Sequence, residues 1–351
     1  MTTNNNAATN KPTESDVYDR QIRLWGAEAQ KKMQSSRVLY IHVTGSSSEV
    51  LKNLCLAGIK AEICDTRPAS ALDASPCFFT HPNNTNNTSA NEGEGDQQEE
   101  ESPTKKIKYD SVAHAVRPLV EELNPLLGSC PIVEKDVAEL TQEDLKDYAV
   151  VIASRIPIDE AVRISQLLAK CSNSCVFYTI DCFGMRGASM IDFGTASDFR
   201  YRPEQGKKLL DPIPLKETVS LLEMAKVPLH KAINRFHKKG PPPTWVMYRA
   251  ILEHQKQTGT WLGDAGVETA AAKTLVAAFL KEQQSSLSDD ELEDLVTAGM
   301  AQVAPVCAVL GGMVGNEVIK IISGKGEPAN NTLLLDGGAC KAWTFLVKAK
   351  E

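Results

Sequence analysis

Val38-Leu39-Tyr40-Ile41-His42-Val43-Thr44-Gly45-Ser46-Ser47-Ser48 is the stretch on which the fold turns. Residues 38–43 form an apolar run typical of a strand buried on both faces. Residues 46–57 read as a helix and 60–65 as a second strand, so the stretch holds the first turn of a βαβ unit. A dinucleotide-binding turn carries G-x-G-x-x-G here, because only glycine lets the backbone close on a pyrophosphate. This turn keeps one glycine, Gly45, and His42 and Ser47 stand where small residues are needed. Asp65 lies twenty residues after Gly45, about where a ribose-binding acid would sit. A plain turn and a strand-ending aspartate account for Gly45 and Asp65 at least as well. A nucleotide-binding frame with a degraded loop points to a partner subunit more than to a self-sufficient enzyme.

Working outward, helix and strand signals alternate. Residues 18–35 carry Ile22, Trp25, Ala29 and Met33 at spacings of three and four, an amphipathic helix. After the βαβ unit come a helix over 109–122, a short strand over 132–135 and a central strand over 149–153. A helix over 158–171, a strand over 175–180 and an antiparallel continuation over 185–193 follow. Residues 215–286 read as largely helical, broken by Gly240-Pro241-Pro242-Pro243. A short helix over 289–298, a strongly apolar one over 305–322 and a strand over 332–336 close the chain. The pattern predicts an α/β fold with a doubly wound, mostly parallel, Rossmann-like sheet. The expected organisation is a disordered tail over 1–15, an α/β domain over 16–199 and 300–351, and a mostly helical insertion over 200–299. A low-complexity insertion over 68–108 interrupts the α/β domain.

Composition narrows the classes. The chain has 351 residues, 42% of them hydrophobic, and a net charge of −7. Glu92, Glu94, Asp96, Glu99, Glu100 and Glu101 supply −6 of that, so the remainder is nearly neutral and a nucleic-acid-binding field is not expected. No apolar run approaches the roughly 20 residues of a membrane span, and the polar N-terminus lacks a signal-peptide core, so neither a membrane nor secretion is expected. The nine cysteines include no C-x-x-C pair. Cys171 and Cys175 have no histidine near, so packed free thiols are a better reading than zinc, no metal is expected, and a reducing compartment fits. Lys105-Lys106-Ile107-Lys108 is either a short nuclear-import signal or solvated charge.

Two further features bear on function. Arg20 and Arg23 are either solvated charges on the first helix or guanidinium groups presented to a phosphate, a role suited to arginine's planar fork. Pro305-Val306-Cys307-Ala308-Val309-Leu310-Gly311-Gly312 is apolar almost all round, so it should be buried on every side. Its glycines permit close approach of a neighbouring element, which suits packing or a subunit contact better than catalysis.

Four stretches carry a family resemblance. They are residues 18–30 (Tyr18-Asp19-Arg20-Gln21-Ile22-Arg23-Leu24-Trp25-Gly26 and beyond), 52–59, 181–187 (Asp181-Cys182-Phe183-Gly184-Met185-Arg186-Gly187) and 304–312, with Asn316-Glu317-Val318-Ile319-Lys320 after the last. Through them the chain resembles the smaller, non-cysteine subunits of heterodimeric SUMO-activating enzymes, in the ThiF/MoeB-like ubiquitin-activating superfamily. The resemblance implies a pseudo-adenylation fold paired with a cysteine-bearing large subunit. That partner binds Mg and ATP, adenylates the C-terminal glycine of SUMO and takes it onto a cysteine. It implies that Arg20 reaches in trans to the partner's ATP, and that Arg23, Trp25, Pro305, Gly311 and Gly312 belong to the subunit interface. It implies no intrinsic cofactor, a location in the nucleus and also the cytoplasm, and a cysteine-free remnant of the catalytic-cysteine domain between Cys182 and Cys307. The corresponding subunit of the neddylation enzyme, a scaffold that gives no group to chemistry, a bacterial-type sulfur-carrier adenylyltransferase and a nicotinamide-dependent oxidoreductase are the alternatives.

Overall fold

The computed structural model describes residues 14–72, 76–80, 109–171, 175–194, 199–205, 208–232 and 240–348. The tail over 1–13, the acidic run and Lys105–Lys108 lie outside them.

The chain opens with α1 (Glu14–Trp25) and α2 (Ala27–Ser35), then β1 (Arg37–Ile41), α3 (Gly45–Leu56) and β2 (Lys60–Cys64). There follow α4 (Val112–Leu123), α5 (Gln142–Leu145), β3 (Val150–Ala153), α6 (Ile158–Leu168), β4 (Val176–Phe183) and β5 (Arg186–Asp192). Four two-residue strands pair off on their own: β6 (Arg200–Tyr201) with β9 (Ile213–Pro214), and β7 (Glu204–Gln205) with β8 (Lys208–Leu209). Then come α7 (Leu221–Lys226), α8 (Pro243–Thr258), α9 (Thr269–Glu282), α10 (Asp289–Ala298), α11 (Ala304–Ser323), β10 (Thr332–Asp336) and β11 (Lys341–Thr344).

The main sheet has seven strands in the order β11-β10-β5-β4-β3-β1-β2. β2, β1, β3 and β4 run parallel, and β5, β10 and β11 add on by antiparallel pairing. Alternate residues of each strand go to opposite faces, as a period of two requires. Val38, Tyr40, Ile63 and Ile152 join α2, α3, α4 and α11 on one face. Leu39, Ile41, Val151 and Ala153 join α6, α7, α8 and α9 on the other. The fold is α/β, with helices on both faces and the sheet's core buried between them.

Several expectations change. The helix predicted over 18–35 is two helices, because Gly26 at φ 84° turns the chain between them. The strand over 132–135 reduces to one bridge, Ile63 to Ile132. Among the described residues of 215–286, α7, α8 and α9 are separated by a short 3-10 helix at Leu229–Lys231 and by bends and turns over 259–266, so the stretch is less continuously helical than read. The insertion begins later than residue 68: Leu72, Cys77 and Phe79 are buried, and 81–108 lie outside the described residues.

Helix α11 corrects two readings. At 20 residues it is long and apolar enough to cross a membrane by length and composition, contrary to the absence of any such run. It is not buried all round either: Pro305, Ala308 and Val309 are exposed, Val309 at 52%. Its other face packs on α3 at Gly311, where any Cβ would collide with Glu49 and lie 3.2 Å from the Ser46 carbonyl. Two helix backbones approach this closely only where a side chain is absent. All nine cysteines are free, and seven of them are buried.

Candidate functional site

The degraded loop sits at the C-terminal edge of β1, where an α/β sheet ordinarily receives its ligand. His42, Gly45, Ser47 and Asp65 are all brought there, at the entrance to α3. What the sequence left open is what fills the place.

The three serines and Thr44 are engaged with the chain itself. Thr44 is the N-cap of α3, and its backbone N–H donates to Ser47 Oγ at 2.8 Å. Ser47 Oγ donates to the His42 carbonyl at 3.0 Å. Ser46 Oγ donates to the Ile180 carbonyl at 3.3 Å, and Ser48 Oγ to the Gly45 carbonyl at 2.8 Å. Of the amides at this helix start, that of Ser47 donates to the Thr44 hydroxyl at 3.5 Å and that of Ser48 to the Thr44 carbonyl at 2.9 Å, so both are engaged within the chain where a phosphate would ask for them. Gly45 has no room above it, because a Cβ there would run into the Gln302 side chain and lie 3.2 Å from Pro76.

Asp65 is committed as well. Its carboxylate is 1% exposed and accepts from the Val43 amide at 2.7 Å. Arg67 grips it bidentately, Nε to Oδ1 at 2.8 Å and Nη2 to Oδ2 at 2.6 Å, and also donates to the Val43 carbonyl at 3.1 Å. A fork-on-fork pair of this kind fixes an acid in place and leaves it no lone pair for a ribose.

A second network extends the filling across the sheet. Thr44 Oγ1 and Ser154 Oγ are 2.7 Å apart, and Ser154 Oγ donates to Asp181 at 3.2 Å. Asp181, at the end of β4, also accepts from the Arg155 amide at 2.7 Å and from the Tyr248 hydroxyl at 2.7 Å. Burial raises the Asp181 carboxyl above its ordinary range, and the three donors oppose that rise. Arg155 itself pairs with Asp264. His42 and Arg155 both adopt φ near +55 to +60°, the left-handed region that glycine enters freely. Burial first, and Arg67 second, depress the His42 imidazole below its ordinary value. The residues at this edge do not fit a nucleotide: no glycine loop faces outward, and the would-be ribose acid is bound by Arg67.

Arg20 is elsewhere. It is exposed on α1 and has no partner among the described residues. Arg23, three residues on, pairs with Asp19 at 2.9 Å. α1 rests on the C-terminal end of α3, where Gln21 Nε2 donates to the Leu56 carbonyl at 2.9 Å. The loop lies at the opposite end of α3. The twelve residues from Gly45 to Leu56, eleven rises of the helix, span roughly 17 Å, which is beyond the reach of an arginine side chain. Trp25 is half-buried against the core, Gly311 lies inside the chain against α3, and Gly312 faces open space. Of the proposed contact residues, only Pro305, Gly312 and Arg23 are at the surface, and Gly311 is taken up by internal packing.

No protein-family model matches the chain. Curated relatives do match, along nearly its whole length. SUMO-activating enzyme subunit 1 of Dictyostelium discoideum is 26% identical over 330 residues, covering 92% of this chain and 90% of the relative. The Xenopus laevis protein of that name is 27% identical, covering 92% and 93%. The chain is similar to SUMO-activating enzyme subunit 1 along nearly its whole length. Subunit 1A of Arabidopsis thaliana, at 26% identity and 92% of both chains, gives the same result in a plant. Likeness to these subunits was legible in the motifs of α1 and α11.

Reading the sequence missed the residues that fill the loop. Arg67, two positions after Asp65, offered a signal, since an acid and a base so spaced can fold back on each other. Ser154 and Asp181 stand at strand ends, the usual place for functional side chains. Nothing local pointed to Tyr248, which arrives from α8.

Proposed function

We propose that this chain is the non-cysteine subunit of a SUMO-activating heterodimer and that it lends Arg20 to an ATP site held by its partner. The partner is a cysteine-bearing large subunit, which binds Mg and ATP, adenylates the C-terminal glycine of SUMO and accepts the acyl group as a thioester. This chain supplies the paired pseudo-adenylation fold, acts in the nucleus and cytoplasm, and has no nucleotide of its own.

One observation carries the reading: the arginine and the loop that would need it lie at opposite ends of α3, and the loop is filled. An exposed guanidinium on a helix seated at the far end of α3, roughly 17 Å of helix away from the degenerate loop, has no work to do in cis. Placed over another subunit's triphosphate, it would put fixed positive charge where negative charge grows as pyrophosphate leaves. Such a group needs no reorganisation, because helix α1 already orients it.

The remainder of the surface agrees. Val17 and Leu24 flank Arg20 on the outer side of α1 at 44% and 72% exposure, and α11 exposes Pro305 and Val309. Exposed aliphatic side chains beside an unpaired arginine suit a protein contact. Reconstitution tests the proposal. The isolated chain should give no ATP–pyrophosphate exchange, and mixing it with the large subunit of SUMO-activating enzyme should restore SUMO-dependent exchange. Stimulation only by the large subunit of the neddylation enzyme would redirect the assignment, and exchange by the isolated chain would refute it.

A further inference from the structure

The C-terminus of α3 is where α1 is fixed. A helix leaves its last carbonyls without partners. Here three amide side chains take them in turn. Asn124 Nδ2 donates to the Cys55 carbonyl at 2.6 Å, Gln21 Nε2 to Leu56 at 2.9 Å, and Gln30 Nε2 to Ala57 at 3.0 Å. Gln21 belongs to α1 and Gln30 to α2, so the two helices are registered against adjacent carbonyls at this end of α3. Asn124 also reaches α1, donating to the Tyr18 hydroxyl at 2.9 Å. The Tyr18 ring lies over Gly58, where a Cβ would come within 3.1 Å of it. At the other end of α1, Lys325 Nζ donates to the Trp25 carbonyl, beside the turn at Gly26.

Gln21 is a poor choice for stability alone. Its Oε1 is buried with no hydrogen-bond partner among the described residues. A buried, unsatisfied oxygen opposes folding, whereas an apolar side chain of similar length would carry no such penalty. What the amide supplies is a direction: one donor aimed at one carbonyl, on the residue next to Arg20.

We infer that Gln21 and Lys325 are positioning residues that fix the register of α1 on α3 and, through it, the direction in which Arg20 projects. This rests on the reading that Arg20 acts on the partner's ATP. Gln21 holds the middle of the helix and Lys325 its end, so neither the roll nor the slide of α1 is free. Catalytic groups placed about 1 Å off their productive position lose up to a hundredfold in rate.

The test is a double-mutant cycle in the assembled heterodimer, read by SUMO-dependent ATP–pyrophosphate exchange. Gln21→Met keeps the length of the side chain and removes the amide donor. It should lower exchange roughly tenfold when Arg20 is present. In an Arg20→Ala background it should cause no further loss. Lys325→Met should behave in the same way and serves if Gln21→Met fails to assemble, and Lys325→Arg, which keeps a cationic donor, should restore the rate. Assembly is checked by the mass of the purified complex. Equal losses with and without Arg20, or no loss at all, would overturn the inference. If Arg20→Ala alone leaves exchange unchanged in an intact complex, the underlying reading falls too, and that result is visible before Gln21 is touched.

Discussion

His42 shows at the scale of one residue what the loop has given up. It holds φ 59° at a position glycine would occupy at no steric cost, a strain of about 1 kcal/mol for a non-glycine residue. Burial also depresses its imidazole below the ordinary value of 6.5. The unfolded chain therefore binds a proton that the folded chain refuses, and stability falls as pH drops through about 6.5 toward the lower folded value. Denaturant midpoints should rise between pH 5 and pH 7.5, and His42→Gly should flatten that rise. A slope unchanged in His42→Gly would mean that other groups dominate. Asp65 makes the complementary case. Arg67→Met would leave a buried carboxylate with two backbone amide donors, from Val43 and from residue 67, and no cation, and we expect a loss of about 3 kcal/mol in chemical denaturation. A loss below about 1 kcal/mol would show that the bidentate pair is not what holds the loop shut.

Helix α11 shows how much an element's pattern reveals and where it stops. Its existence and approximate length were legible, because the mostly apolar stretch over 305–322, opened by Pro305 and closed by Gly324, admits few alternatives. Which face is covered was not, since apolar residues on every side give no direction. Gly311 and Gly312 are adjacent in sequence and differ completely in surroundings, one against Glu49 and one against nothing within 4 Å. Gly311→Val should destabilise the chain by about 1–3 kcal/mol through overpacking, whereas Gly312→Ala should be neutral or stabilising by up to about 1 kcal/mol. Thermal melts of the two variants separate the cases. The turn at Gly26 was hidden for a related reason: the apolar spacing of three and four continues through it. The edge strand β11 escaped notice because Lys341, Ala342 and Thr344 are exposed and show no alternation. On α1, the outer positions Val17 and Leu24 give a prediction of their own. Leu24→Asp should leave the chain's melting temperature unchanged and weaken binding of the large subunit roughly tenfold, measured by calorimetry. Unaltered affinity would move the contact to another face.

For the molecule as a whole, the parallel half of the sheet was readable because each strand is a short apolar run followed by a helix. The site was readable only in outline. One glycine where three belong announces a damaged loop, but the groups that fill it come from β3, β4 and α8, and such distant partners leave no local trace. The fold accounts for a chain that keeps a nucleotide-binding frame and has turned its polar groups inward. The same frame presents α1 outward, held at Gln21 and Lys325, with Arg20 exposed. The most direct measurement is SUMO-dependent ATP–pyrophosphate exchange by the purified heterodimer carrying Arg20→Ala, compared with the unaltered heterodimer at equal assembly. We predict a loss of about a hundredfold, the effect of removing one preorganised charge from the transition state. An unchanged rate in an intact complex would contradict the account and leave the chain a scaffold.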